Sequence, residues 1–210
     1  VKPVVFWQQE NLLQQYLPNL DRYIVLSDYD KRDYMEKLGI DCEVKINPRS
    51  FVSEKKCDVK SKRFLMATRF VYAKGLDLMM ESFEEFCKED SEWELDIIGD
   101  GDLFDQIRAD AKKRHLEKRV HFVGYTNEPE KYYLNSSVFL LPSRWEGWPM
   151  VIMEAFEFGL PVIAYHMGAM DLIIDDGKTG FLPEAFDPHK FAQAMLKLAH
   201  DPGLRAEMSE

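Results

Sequence analysis

Two glutamates in the stretch SRWEGWPMVIMEAFEFGLP (143–161) stand where apolar packing does not account for them. An ionised carboxylate accepts hydrogen bonds from hydroxyls and attracts cations, so its placement bears on ligands as well as on solubility. Upstream, VFLLP (138–142) is an apolar run of strand length, and Pro149 opens a second apolar run. This order predicts strand, loop and helix, with proline at the first helical position, where it sacrifices no hydrogen bond. Glu146 then falls in the loop and Glu154 on the helix. Glu154 and Glu157 share one helix face. That face is either a solvated stripe or, at Glu154, an acceptor aimed back over the loop, with the open N–H groups of the first turn facing an anion.

Cations occupy a second candidate loop. TRFVYAKG (68–75) places Arg69 and Lys74 after the apolar run RFLMAT (63–68), in a chain whose net charge is −10. Each is either a solvated loop residue or a partner for an anion. The acidic balance argues against a nucleic-acid surface. Cys42, Cys57 and Cys87 are widely spaced and form no Cys-x-x-Cys pair, which predicts reduced thiols and no zinc site. The five histidines have no companions at ligand spacing, so no metal is expected. His166, near a predicted strand end, reads as a loop residue at a pocket rim.

The elements that must position these groups follow from the apolar rhythm. Strands are predicted at 63–68, 94–99, 119–124, 138–142, 161–165 and 180–183, and helices at about 75–90, 102–115, 128–135, 149–158, 169–175 and 187–200. Such alternation predicts an α/β fold, a Rossmann-like doubly wound parallel sheet with ligands beyond the carboxyl ends of the strands. Asp102 is placed to cap the second of these helices, and Asp187 and Asp201, each before a proline, to cap the last ones. Earlier, YIVLSD (23–28), residues 28–39 and CEVKIN (42–47) read as strand, helix and strand, with Gly39 as the helix stop and a break at Asn47-Pro48. Residues 6–18 read as an amphipathic helix, and the lysine-rich 53–63 as a solvated connecting loop. No apolar run reaches transmembrane length and no signal peptide is visible. A chain that starts at Val1 predicts a longer parent.

The pattern Glu146-Gly147-x-Pro149-x4-Glu154-Ala155, followed by Gly159-x-Pro161-Val162-Ile163, resembles the Glu-x7-Glu signature of glycosyltransferase family 4, the retaining GT-B sugar transferases. The resemblance covers roughly residues 20–210. It implies that residues 1–50 are a C-terminal remnant of the acceptor-side domain with its linker, and that 51–210 form the nucleotide-sugar domain, truncated at its C-terminal end. It implies that Arg69 and Lys74 hold the donor diphosphate and that Glu146 reaches the donor sugar, these three being the catalytic set. Glu154 takes the ribose diol, the backbone of Trp148, Met150 and Val151, behind Pro149, addresses sugar and phosphates, and Gly147 permits close approach. Gly124 and Tyr125 lie near the nucleobase, where Tyr125 either stacks on the ring or stands as a rim aromatic.

Gly99-Asp100-Gly101 matches the family's strand-to-helix turn. Asp100-Gly101-Asp102 is therefore not read as the metal-binding Asp-x-Asp of the other glycosyltransferase fold, nor as a dinucleotide fingerprint, whose third glycine is replaced by Phe104. Trp145 and Trp148 depart from the smaller or Phe-like residues of such loops and either narrow the sugar pocket or pack the loop. Ala169 and Asp171 depart from the usual Gly-Gly-x-x-Glu turn. The expectation is a donor-binding fragment of a retaining glycosyltransferase, with UDP-hexose as donor, no metal or cofactor, a glycan or lipid-linked acceptor, and a cytoplasmic site that extends to the inner membrane face. A GT-B sugar-nucleotide epimerase and a non-catalytic nucleotide-binding module are the alternatives.

Overall fold

The computed structural model describes residues 22–47 and 52–209. The helix expected over 6–18 and Pro48 of the expected chain break lie outside them. Two compact units divide at Pro48 and Arg49.

In the first unit, β1 (Ile24–Val25) and β2 (Glu43–Val44) pair in parallel around α1 (Asp28–Leu38). Ser27 caps α1 by accepting from the Asp30 N–H, and Gly39, at φ +66°, ends it with its N–H on Met35 O. The strands are shorter than the apolar runs suggested, because only these residues find ladder partners in a two-stranded pair.

The second unit carries β3 (Arg63–Ala67), α2 (Leu76–Phe86), β4 (Glu94–Ile98), α3 (Phe104–Lys113), β5 (Val120–Gly124), α4 (Glu130–Asn135), β6 (Val138–Leu141), α5 (Met150–Glu157), β7 (Val162–Ala164), β8 (Gly180–Phe181), α6 (Pro188–His200) and α7 (Pro202–Met208). Its six strands are all parallel, in the order β5-β4-β3-β6-β7-β8. Side chains that alternate along each strand go to opposite faces, and both faces are covered. Phe64, Met66, Leu95, Ile97, Val138 and Leu140 enter one core, with α2, α3 and α6. Leu65, Ala67, Ile98, Phe139, Leu141 and Val162 enter the other, against α4 and α5. The strand order reverses between β3 and β6, and at such a switch point the flanking loops part to leave a crevice beyond the carboxyl ends.

Three expectations are corrected. Pro149 is the residue before α5, with ψ 100°, and Met150 is the first helical one. Asp102 caps nothing: Leu103 precedes α3, because its N–H is drawn to Phe70 O and the chain turns first. The helix expected over 169–175 is a 3-10 turn at Met170–Leu172. Asp187 and Asp201 do cap α6 and α7, accepting from the N–H groups of Lys190 and Leu204.

One buried cation ties this unit together. Arg205 of α7, 3% exposed, donates to the carbonyls of Leu198 and Ala199 at the end of α6 and of Val59 at 2.9 Å, and its guanidinium lies 5.0 Å from the Trp93 ring centroid. Carbonyls of a helix's last turn have no intrahelical partner, so this arginine replaces water there. Arg205→Met is expected to cost about 2–4 kcal/mol, since several buried acceptors lose their donor at once. Urea unfolding checks this against Lys112→Met, an exposed position where the change should stay within about 0.5 kcal/mol.

Candidate functional site

A cleft of about 320 Å³ opens at the switch point, lined by Ala67, which ends β3, and Thr68, Arg69 and Lys74 after it, by Ile98, which ends β4, and Gly99 after it, by Tyr125, Thr126 and Pro129 after β5, and by Leu141 and Val151 from the β6 side. Backbone bonds fix the loops that frame it. Thr68 and Phe70 donate to Ile98 O and Asp100 O, and Gly99 donates to Gly124 O at 2.8 Å. The last bond depends on an irregular register between β4 and β5, where Ile97 pairs with Phe122 but Ile98 with Gly124. Gly99 holds φ +123°, and a Cβ there would stand 1.8 Å from Thr68 O, so the turn it opens admits only glycine.

Lys74 ends a 3-10 turn, Tyr72–Lys74, and its Nζ donates to both oxygens of Glu146, at 2.7 and 2.8 Å. Ser143 Oγ donates to Glu146 Oε1 at 2.6 Å. The side chain of Glu146 is 8% exposed and that of Lys74 20%, so the pair is largely withdrawn from water. An ammonium has three donors, and this arrangement uses two of them on one carboxylate. Arg69 is exposed and makes no side-chain bond among the described residues.

Next to the pair, Arg144 straps the two loops together. Its guanidinium donates to both oxygens of Asp77, at 2.8 and 2.6 Å, and to Tyr72 O at 2.9 Å, and its backbone N–H donates to Ala73 O at 2.7 Å. The bidentate bond holds the Asp77 carboxyl below the ordinary carboxylate range. The same guanidinium lies 4.0 Å from the centroid of the Tyr72 ring, which Trp145 approaches from 5.9 Å. Trp148 buries its indole N–H without a partner among the described residues.

On α5, Glu154 Oε2 accepts from the hydroxyl of Tyr133 at 2.9 Å. The N–H groups of Met150 and Val151 belong to the first turn, where no intrahelical acceptor exists. Of the residues singled out by sequence, the structure brings Arg69, Lys74, Tyr125 and Val151 to the cleft wall and joins Glu146 to it through Lys74. Gly147, Trp148, Pro149 and Met150 form the chain between Glu146 and Val151, and Gly124 sits behind Tyr125, which is 77% exposed. His166 is exposed, with its backbone N–H on Pro183 O.

Sequence reasoning did not single out Tyr133, Ser143, Arg144, Thr68, Thr126 or Pro129. The position of Ser143 directly after VFLLP was a usable signal; a tyrosine inside EKYYLN offered none. Among the described residues no group of three or more His, Cys, Asp or Glu side chains is placed to hold a metal ion, and no helix is long and apolar enough to cross a membrane.

Residues 50–210 match the family model described as glycosyl transferases group 1. An uncharacterized glycosyltransferase of Haemophilus influenzae is 28% identical over 193 residues, 90% of this chain and 55% of that protein. The Escherichia coli enzyme named UDP-Gal:alpha-D-GlcNAc-diphosphoundecaprenol alpha-1,3-galactosyltransferase is 33% identical over 106 residues, 50% of this chain and 27% of that protein. A structure of S. aureus TarM, in a complex that includes UDP, shares the fold with a TM-score of 0.85 at 24% identity, covering 98% of this chain and 42% of that one. The chain thus spans about half the length, or less, of the proteins it matches.

Proposed function

This chain belongs to the glycosyl transferases group 1 family, and from that premise we propose that it is the donor-binding part of a retaining, family 4 glycosyltransferase that moves a hexose from a nucleoside diphosphate, UDP in the first instance, to a glycan or lipid-linked acceptor. The observation that carries this reading is the Lys74–Glu146 pair at 2.7 Å. In a nucleotide sugar the transferred ring and the leaving phosphate share one oxygen, so the group that holds the sugar and the cation that holds the diphosphate must be neighbours. Here they touch.

Arg69 and Lys74 stabilise the negative charge that grows on the diphosphate as it departs, and fixed charges do this without reorganising at the moment of reaction. The third N–H of Lys74 reaches the phosphate while Glu146, held by Lys74 and Ser143, accepts from hydroxyls of the sugar. The N–H groups of Met150 and Val151 face the same anion. Glu154 takes the two ribose hydroxyls with charge-assisted bonds, and Tyr125 lies toward the base.

The acceptor oxygen bonds to the anomeric carbon on the side from which the diphosphate oxygen leaves. The acceptor proton passes to a phosphate oxygen, for Glu146 is already committed to Lys74. Two cations at the diphosphate take the place that a metal would fill. Residues 1–50 belong to the acceptor-side domain and its linker, residues 51–210 to the donor domain, and the parent enzyme works in the cytoplasm against the inner membrane face. The name of the Escherichia coli relative, with a UDP sugar as donor and a diphosphoundecaprenol-linked acceptor, supports the donor and acceptor classes.

Calorimetric titration of the chain with UDP, GDP and ADP, each with and without magnesium, tests the proposal. UDP is expected to bind without metal. Glu154→Ala should weaken that binding by about 10- to 150-fold, the worth of one charge-assisted bond, while Glu157→Ala changes it little. Equal effects at the two positions would sink the ribose assignment, and binding only with magnesium would sink the metal-free site.

A further inference from the structure

We propose that Tyr133 is a positioning residue for nucleoside recognition: its buried hydroxyl fixes the Glu154 carboxylate in the orientation that reads the ribose diol. The inference rests on the donor-site reading above and adds to it a residue that does not touch the ligand.

Tyr133 lies on α4 and is 1% exposed, yet its ring is not ordinary core filler. It stacks on Phe139 of β6, with centroids 5.9 Å apart and planes at 9°, and on Phe158 just beyond α5, at 5.0 Å and 18°. Two aromatic neighbours from different elements leave the ring one orientation, and that orientation delivers the hydroxyl to Glu154 Oε2 at 2.9 Å. A phenol buried this deeply costs free energy unless its O–H is satisfied, so the bond is needed by the core as well as by the carboxylate. Burial first, and then the charge of Glu154, push the tyrosine well above its usual range, so the hydroxyl stays a donor.

The consequence for Glu154 is rotameric. A glutamate on a helix surface samples several side-chain conformations, and holding one of them to meet a ligand costs entropy at the moment of binding. A rigid donor that grips one oxygen removes that freedom beforehand. The same short helix is also tied to the cleft wall: Pro129, which lines the cleft, accepts at its carbonyl from the Tyr133 N–H at 3.3 Å. The wall near Tyr125 and the carboxylate assigned to the ribose are therefore set by one element.

The test is a comparison of UDP with 2′,3′-dideoxy-UDP, by calorimetry, in wild type, Tyr133→Phe, Glu154→Ala and the double variant. Phenylalanine keeps both ring stacks, and circular dichroism with thermal melting checks the fold. Tyr133→Phe is expected to bind UDP about tenfold more weakly, the worth of one hydrogen bond to a charged group, and to bind the dideoxy nucleotide as wild type does. In the Glu154→Ala background it should cost nothing further. Phe158→Leu, which keeps the hydroxyl but removes one stacking partner, should lower the preference for UDP in the same direction.

Equal losses for both nucleotides would show a merely structural tyrosine and overturn the inference, as would an unchanged UDP affinity or an added loss in the double variant. A wild type that binds none of UDP, GDP and ADP overturns the donor reading itself, and this inference with it. That outcome is visible before any variant is made.

Discussion

Lys74→Met in the full-length enzyme is expected to lower kcat by about 10²–10³, because a fixed donor at a developing anion typically supplies that much. Under the proposed donor-site role of Lys74 the effect should exceed that on donor affinity, since a diphosphate gains charge as it leaves and the lysine would be worth most in the transition state. The same change has a second consequence that separates chemistry from folding. Glu146 is 8% exposed and would keep only Ser143 as a partner. Removing one member of a withdrawn ion pair strands the other, at a cost of about 3–5 kcal/mol for a fully buried pair and less here, where Lys74 retains some solvent. Lys74→Met/Glu146→Gln is therefore expected to recover most of the stability and none of the rate. Urea unfolding of the chain and steady-state transfer by the full-length enzyme read the two quantities independently. A double variant as unstable as Lys74→Met would mean that the pair is not what Glu146 depends on.

The sheet was legible because its signal is local. Each apolar run from Arg63 to Leu182 lies in or overlaps one of the six strands, and the burial of both faces follows from runs without alternation, such as VFLL in β6. The candidate site was legible as two loops, Arg69–Gly75 and Ser143–Val151, but not as one constellation. Lys74 and Glu146 are 72 positions apart in sequence and Arg144 and Asp77 are 67 apart. They meet only because β3 pairs with β6 and not with another strand, a choice of topology that periodicity does not carry.

Tyr133 escaped for a related reason. Its neighbours in EKYYLN mark it as part of an amphipathic segment, whereas its role depends on Phe139 and Phe158 closing around it. Errors at Pro149 and Asp102 are of another kind. Caps are decided within one residue: at Asp102 a backbone bond from Leu103 to Phe70 O moves the start of the helix, and at Pro149 an extended ψ of 100° leaves the proline one residue before it.

Gly75→Ala is expected to be among the most damaging single-methyl changes in the chain. Gly75 adopts φ +63°, which costs an L-residue about 1–2 kcal/mol. A Cβ there would also lie 1.9 Å from the carbonyl oxygen of Pro142, backbone that no rotamer change can move aside. Overpacking of this sort adds about 1–3 kcal/mol, so the total should be about 2–5 kcal/mol. Gly177→Ala supplies the control, for Gly177 has φ +82° but nothing within 4 Å of the added methyl, and only the conformational part remains.

The position of the clash matters more than its size. Gly75 follows Lys74, and Pro142 precedes Ser143, so relieving the contact separates the two loops that bring the ammonium to Glu146. Gly75→Ala should therefore lose UDP affinity even where the protein remains folded, whereas Gly177→Ala should keep it. Urea midpoints with UDP titrations measure both effects, and equal destabilisation by the two substitutions would show that close packing is not why glycine follows Lys74. The Lys-Gly pair can be read along one loop, but the reason for its glycine lies at the end of β6.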